Sequence, residues 1–167
     1  TEKLEEDLSI MLPEARIKRM DLDTTRAKNA FEQIFEDFAD KKIDILVGTQ
    51  MVTKGLDFEN VSIVGVLNAD NMINFPDFRA FERSFQMLVQ VSGRAGRKDK
   101  QGKVIIQSYN PYHSVIRYVM DNNYQLMYDS QILERRNYKY PPFYRLIRFT
   151  LKHKDYRELN AAAQDFT

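Results

Sequence analysis

Short runs of β-branched and aliphatic residues alternate along this chain with longer stretches in which apolar residues recur every three or four positions. That alternation constrains the fold more than any other feature. Ile43 to Val47 and Val61 to Leu67 are runs short enough for strands, as is Val104 to Gln107 after the Gly102-Lys103 step. The first two do not alternate cleanly between polar and apolar, the pattern expected of strands covered on both faces of a parallel sheet. Arg16 to Met20 alternates basic and apolar residues and predicts a further short strand. Ala27, Ala30, Phe31, Ile34, Phe35 and Phe38 keep helical spacing. So do Phe78, Phe81, Phe85, Leu88 and Val89, in a helix predicted over about 77–91. Strands separated by helices in this way take right-handed crossovers and build a parallel α/β sheet flanked by helices.

The ends of the pattern carry their own signals. Thr1 is placed to cap a first helix with Glu2, Glu5 and Glu6 in its opening turn, an apolar stripe of Leu4, Leu8, Met11 and Leu12, and Pro13 beyond it. Asp21-Leu22-Asp23-Thr24-Thr25 is turn and cap chemistry before the second helix. Asn110-Pro111 breaks the chain before further helix between about 113 and 137. Around Tyr140-Pro141-Pro142 the character changes, with a new strand predicted over Leu146 to Leu151 and a helix from Tyr156. This divides the chain into residues 1–130, an α/β lobe, and 131–167, a linker and the start of an α+β domain. The chain is expected to begin and end inside a longer protein.

Composition narrows the chemistry. At 167 residues and 43% hydrophobic content there is material for one real core, and no run approaches a membrane span. No charged-then-apolar leader opens the chain, so it reads as soluble and unprocessed. The absence of cysteine excludes disulfides, thiolate metal sites and thiol nucleophiles, and only His113 and His153 remain for imidazole chemistry. A net charge of +1 gives no hint of nucleic acid, but the sum conceals an asymmetry. Residues 1–60 hold nine Lys and Arg against fourteen Asp and Glu. Residues 79–103 hold seven against two, and residues 131–157 eight against two. The last block also contains Tyr138, Tyr140, Phe143, Tyr144, Phe149 and Tyr156, a mixture suited to nucleic-acid backbones and bases or, equally, to a solvated face over buried rings.

Two segments concentrate reactive groups. Gly48-Thr49-Gln50-Met51-Val52-Thr53-Lys54-Gly55-Leu56-Asp57-Phe58 follows a predicted parallel strand directly, where α/β sheets place ligands. Thr49 and neighbouring backbone N–H groups suit a phosphate, Lys54 adds charge, Gly55 permits close approach and Asp57 suits a ribose hydroxyl. Gly48 and Gly55 also read as plain turn residues, and Asp57 as a cap. The second segment is Gln90-Val91-Ser92-Gly93-Arg94-Ala95-Gly96-Arg97. Two arginines three residues apart share a side of a helical turn and can reach one anion. A planar, permanently charged guanidinium suits a transferring phosphoryl group, although a basic surface turn has the same composition.

Together the two segments resemble motifs V and VI of superfamily 2 helicases, in order and in strand–loop context. Gly93-Arg94-Ala95-Gly96-Arg97 matches the Gly-Arg-x-Gly-Arg core of motif VI. Finer strings are similar to the primosomal protein N′ family of bacterial replication-restart DNA helicases. These are Arg19-Met20-Asp21-Leu22-Asp23-Thr24-Thr25, Gly48-Thr49-Gln50-Met51, Lys54-Gly55, Asp77-Phe78-Arg79-Ala80-Phe81-Glu82-Arg83 and Tyr140-Pro141-Pro142-Phe143.

The resemblance implies a RecA-like second motor lobe of the P-loop NTPase type, one of two lobes that close on ATP and drive 3′-to-5′ movement along DNA during primosome assembly at stalled forks. It implies that Arg97 is the arginine finger, that Arg94 is a second γ-phosphate contact, and that Gln90 orients both. Gly55 and Asp57 would lie near the ribose, with Thr49, Gln50 and Lys54 nearer the DNA backbone. ATP and Mg²⁺ would be held mainly by a first lobe. Neither a Gly-x-x-x-x-Gly-Lys-[Ser/Thr] loop nor an Asp-Glu-x-His magnesium motif occurs here, so the fragment alone is expected to be inactive. Zn²⁺ would belong to a cysteine-rich module in the longer protein and not to this chain. The implied partners are forked or single-stranded DNA, other primosome proteins and single-stranded-DNA-binding protein, without membrane, in a bacterial cytoplasm near the nucleoid. The competing readings are a stand-alone nucleic-acid-binding module and the motor lobe of another superfamily 2 helicase.

Overall fold

Main-chain hydrogen bonds pair the strands two by two. The computed structural model describes residues 1–21, 30–49, 61–93, 95 and 102–166. In it β1 (Ile17–Met20) runs parallel to β2 (Ile45–Gly48), and β3 (Ile63–Val66) runs parallel to β4 (Lys103–Ile106). Around them lie α1 (Glu2–Met11), α2 (Ala30–Ala39), α3 (Asp70–Ile73), α4 (Ala80–Ser92) and α5 (Ser114–Met120), followed by α6 (Tyr124–Asn137) and α7 (Tyr156–Phe166). The chain divides into two compact units, residues 1–127 and 128–167.

In the first unit, β1 and β2 are brought into register at their amino ends. The main-chain N–H groups of Asp44 and Ile45 both donate to the Arg16 carbonyl, at 2.8 and 3.2 Å. The Asp44 carboxylate in turn accepts from the Arg16 main-chain N–H, Nε and Nη2, each at 2.8 Å. These bonds from Arg16 hold the Asp44 carboxyl far below the usual carboxylate range. Both side chains are well exposed, so the pair sets register more than it adds stability. Among the described residues Met20 and Ile34 form a buried cluster here, with Phe31, Phe35, Phe38, Ile43, Leu46 and Val61 packed half-buried against it, and Val47 of β2 is buried as well.

The β3–β4 pair has a larger core. Phe85 and Leu88 of α4, Val115 and Val119 of α5, and Met127 of α6 form one buried cluster. Ala69, Ile73 and Ile116 form an adjoining one, and Val66 and Ile106 from the two strands pack on both. Complete burial of one such aliphatic side chain is worth roughly 1.5–3 kcal/mol, so α4 is the best-anchored helix of the unit.

Several elements differ from the sequence reading. Thr1 occupies the N-cap position of α1, but its hydroxyl makes no capping bond and donates instead to Asp21 Oδ2 at 2.7 Å. The helix predicted over about 77–91 is α4, and it begins at Ala80 rather than Asp77, because Asp77 accepts the Arg79 N–H at 2.8 Å in a side-chain turn that precedes the helix. The predicted helix over 113–137 is two helices. Asn122 takes a left-handed conformation (φ 47°) and Asn123 Oδ1 accepts the Leu126 N–H at 3.0 Å, which ends α5 and caps α6. The one-turn α3 has no counterpart in the sequence reading.

Burial along β3 and β4 alternates. Ile63 and Ile105 are exposed while Val64, Val66, Val104 and Ile106 point inward, so among the described residues this pair is covered on one face and not on two.

The second unit contains most of α6, the Tyr140-Pro141-Pro142-Phe143 turn, and α7. The strand predicted over Leu146 to Leu151 is not formed: residues 145–153 have no regular structure, and Leu146, Ile147, Phe149 and Leu151 are exposed. A strand exists only as a partner in a ladder, and among the described residues none lies beside this run. Phe149 contacts Phe166 of α7 with ring centroids 4.8 Å apart. Asp155 Oδ1 accepts the Arg157 N–H at 2.8 Å where α7 begins.

Candidate functional site

The carboxyl ends of the parallel strands supply the site's framework. Met20 pairs with Gly48, so the residues that follow, Asp21 and Thr49, leave the sheet along the same edge. Thr49 is exposed there. Asp21 is buried and takes the Thr1 hydroxyl bond. Arg19 Nε lies 3.4 Å from Asp21 Oδ2 and 3.6 Å from Glu5 Oε2, and Arg19 Nη1 lies 3.7 Å from Glu2 Oε1. Three carboxylates thus surround one guanidinium, and its charge is compensated within the lobe. Arg19 is therefore not a spare cation for an anion at this edge. Gln50, Lys54, Gly55 and Asp57 lie outside the described residues.

The second part of the site sits at the end of α4. Phe85, Leu88 and Val91 bury one face of this helix, which leaves Gln90 exposed on its last turn. The helix closes with the Gly93 N–H donating to the Val89 carbonyl at 3.0 Å and the Ser92 hydroxyl to the Leu88 carbonyl at 2.7 Å. Gly93 has φ −69° and ψ −3°, a conformation open to any residue. Among the described residues a Cβ there would meet the Gln90 and Val89 carbonyls, at an ordinary 3.6 Å. The backbone conformation at 93 therefore does not require glycine.

A helix carboxyl terminus is the negative end of the dipole, and no basic residue lies in the last turn of α4. An anion could be bound beyond this terminus only by cations placed after it. The donor set of an amide and two guanidiniums, from Gln90, Arg94 and Arg97, has that character. Arg94 and Arg97 themselves lie outside the described residues. Thr49 and Gln90 are carried by different parallel pairs, Thr49 following β2 and Gln90 on the helix packed against β3 and β4.

One cluster escaped the sequence reading. Asp70, just beyond β3, accepts from the Ser108 hydroxyl and the Tyr109 N–H, each at 3.0 Å, just beyond β4. These bonds, the Tyr109 N–H foremost, pull the Asp70 carboxyl below its ordinary value. Gln107 adds a second tie: its carbonyl accepts the Ala69 N–H at 3.0 Å and its side chain the Asn68 N–H at 3.3 Å. The signals were present as turn residues at two strand ends, but their meeting is 38 residues apart in sequence.

Comparison with known proteins joins these parts. The helicase conserved C-terminal domain matches residues 1–99, which include both motif segments and the framework around Thr49 and Gln90. The chain belongs to the helicase conserved C-terminal domain family. Its described parallel strands and flanking helices are the α/β architecture of a RecA-like lobe. Across 98% of its length this helicase lobe is also similar to replication restart proteins PriA. It is 47% identical to that of Bacillus subtilis (strain 168) over 164 residues, 43% to that of Synechocystis sp. over 164, and 42% to that of Treponema pallidum over 163. The chain spans 20% of the first two and 25% of the third, about a fifth to a quarter of the relatives' length. Among the described residues no group of three His, Cys, Asp or Glu is placed to hold a metal ion, and no helix is long and apolar enough to cross a membrane.

Proposed function

We propose that the chain is the second motor lobe of an ATP-dependent 3′-to-5′ DNA helicase that reloads the replication machinery at stalled forks. One observation carries the reading: the helicase-family match ends on the Gly-Arg-x-Gly-Arg segment that follows α4, the helix most firmly fixed in the core. In this reading ATP with Mg²⁺ supplies the scissile γ-phosphoryl group, presented by another lobe. Arg97 meets the developing charge, Arg94 makes a second contact, and Gln90 orients the two guanidiniums. Their value lies in position: a cation held in place before reaction needs little rearrangement as charge builds. α4 leads into this segment, and its buried face runs to Val91, three residues before Arg94 in sequence.

Thr49, Gln50 and Lys54 contact the DNA backbone, and Gly55 and Asp57 lie toward the ribose. Both loops leave the carboxyl ends of elements in one lobe, so closure on nucleotide is communicated to DNA. Residues from about 131 begin a domain that contacts DNA, other primosome proteins and single-stranded-DNA-binding protein, in a bacterial cytoplasm. Zinc belongs to a part of the longer protein beyond this chain.

The test is ATP turnover stimulated by single-stranded DNA in the intact protein. Arg97→Ala lowers turnover on the order of a thousandfold or more while DNA affinity holds. Unchanged turnover removes Arg97 from the role, and DNA-stimulated hydrolysis by the isolated chain overturns the assignment to a second lobe.

A further inference from the structure

We infer that the lip formed by the α3–α4 and β4–α5 loops is a stacking subsite for the bases of single-stranded nucleic acid, separate from the two motif loops. Tyr109 is 95% exposed, Tyr112 85% and Phe75 58%. Rings so open to water are costly to leave on a surface without a purpose when several occur together. Two observations place the loops that carry them at one end of the β3–β4 pair. Asp70 of α3 binds Ser108 and the Tyr109 N–H, and His113 of the β4–α5 loop meets Phe81 of α4 edge-on at 5.0 Å.

The backbone beneath Tyr109 is fixed. Besides the two bonds to Asp70, the Asn110 N–H donates to Ser108 Oγ at 3.0 Å and the His113 N–H to the Asn110 carbonyl at 3.0 Å. A ring held by a rigid loop and left in solvent loses little entropy when a base stacks on it.

Charge favours a nucleic-acid occupant over an apolar protein surface. Of the two carboxylates near the lip, Asp77 is neutralised by Arg83 Nη1 at 2.9 Å, while Asp70 keeps its charge but has its oxygens turned inward to the Ser108 hydroxyl and the Tyr109 N–H. The exposed Arg79 guanidinium stands 5.3 Å over the Phe78 ring at the start of α4. Aromatic faces with an arginine beside them accept bases without sequence preference and phosphates without a dedicated loop.

This subsite rests on the proposal that the protein moves along DNA, and the experiment separates the two. Binding of a fluorescent oligothymidylate to the intact protein is titrated across a range of salt for wild type, Tyr109→Ala, Tyr109→Phe and Tyr112→Ala, with thermal melts for each. The alanine variants are expected to bind roughly 5- to 150-fold more weakly. The loss should be the same at every salt concentration, because stacking releases no counterions. Tyr109→Phe keeps the ring and retains near wild-type affinity. Equal binding by wild type and Tyr109→Ala overturns the subsite, including in favour of a protein occupant. So does a loss that Phe does not rescue in a variant that melts normally. Failure of the wild type to bind at all overturns the helicase reading instead.

Discussion

The β1–β2 and β3–β4 pairs are both parallel and both four residues long, yet they are tied at opposite ends. Arg16 and Asp44 hold the first pair where its strands begin. Asp70, Ser108 and Gln107 hold the second where its strands end. The cores differ as well. Among the described residues the first pair rests on a cluster of Met20 and Ile34 with half-buried neighbours, the second on a continuous cluster through α4, α5 and α6. The tie at the strand starts leaves Gly48 and Thr49 exposed where β2 ends, whereas the tie at the strand ends fixes the turns that follow β3 and β4.

The largest effect that can break this comparison is on turnover. If α4 is a rigid mount, Arg97→Ala abolishes ATP hydrolysis on the order of a thousandfold or more with an unchanged melting temperature. A parallel fall in stability would place the arginine in the lobe's architecture. Next come the cores. Leu88→Ala and Met20→Ala each remove a fully buried side chain, with an expected cost of about 2–5 kcal/mol. Leu88 belongs at the upper end, since its neighbours are themselves buried and cannot relax into the space. Denaturant melts that rank Met20→Ala above Leu88→Ala would reverse the order of the two halves.

Gly93→Ala is smaller and opposite in sign. The backbone at 93 is already helical, so alanine should stabilise by about 0.4–1 kcal/mol by restricting the unfolded chain. ATP turnover measured on the same variant then reports whether the missing methyl leaves room for a ligand. A variant that melts higher and hydrolyses more slowly assigns the glycine to function.

The smallest effect separates the two ties by pH. The Asp44 and Asp70 carboxyls both lie below their ordinary values, so each contributes stability that is fully present above the unfolded value of about 4. That contribution is lost as pH falls through the folded value. Asp44→Asn and Asp70→Asn should therefore lower the melting temperature at pH 7 and flatten its decline below pH 4. Hydrogen exchange should show the effect at β1–β2 for the first and at β3–β4 for the second. An unaltered acid arm in either variant removes that tie.

Much of the local structure was readable from period and punctuation. The apolar spacing of Phe81, Phe85 and Leu88 marked α4, and the β-branched run before Gly48 marked β2, because burial imposes those periods on any sequence that folds this way. That the strands pair parallel was readable, but not which runs find a partner. Leu146 to Leu151 has the composition of a strand and is not one, since a ladder needs a neighbour that composition cannot supply. The site divides in the same manner. Gln90, Arg94 and Arg97 were visible as a contiguous string, whereas the tie from Asp70 to Ser108 and Tyr109 joins two unremarkable turns 38 residues apart.

The sequence alone determined the alternation of strands and helices, the two motif segments and the charge asymmetry behind a net +1. All of these are properties of neighbours along the chain. Tertiary structure decided which ends of the strands are tied, that Arg19 is neutralised by Glu2, Glu5 and Asp21, that glycine at 93 is not required by the backbone conformation, and that the Tyr109 ring stands exposed above a hydrogen-bonded main chain. Those depend on distances between residues far apart in sequence, which only packing sets.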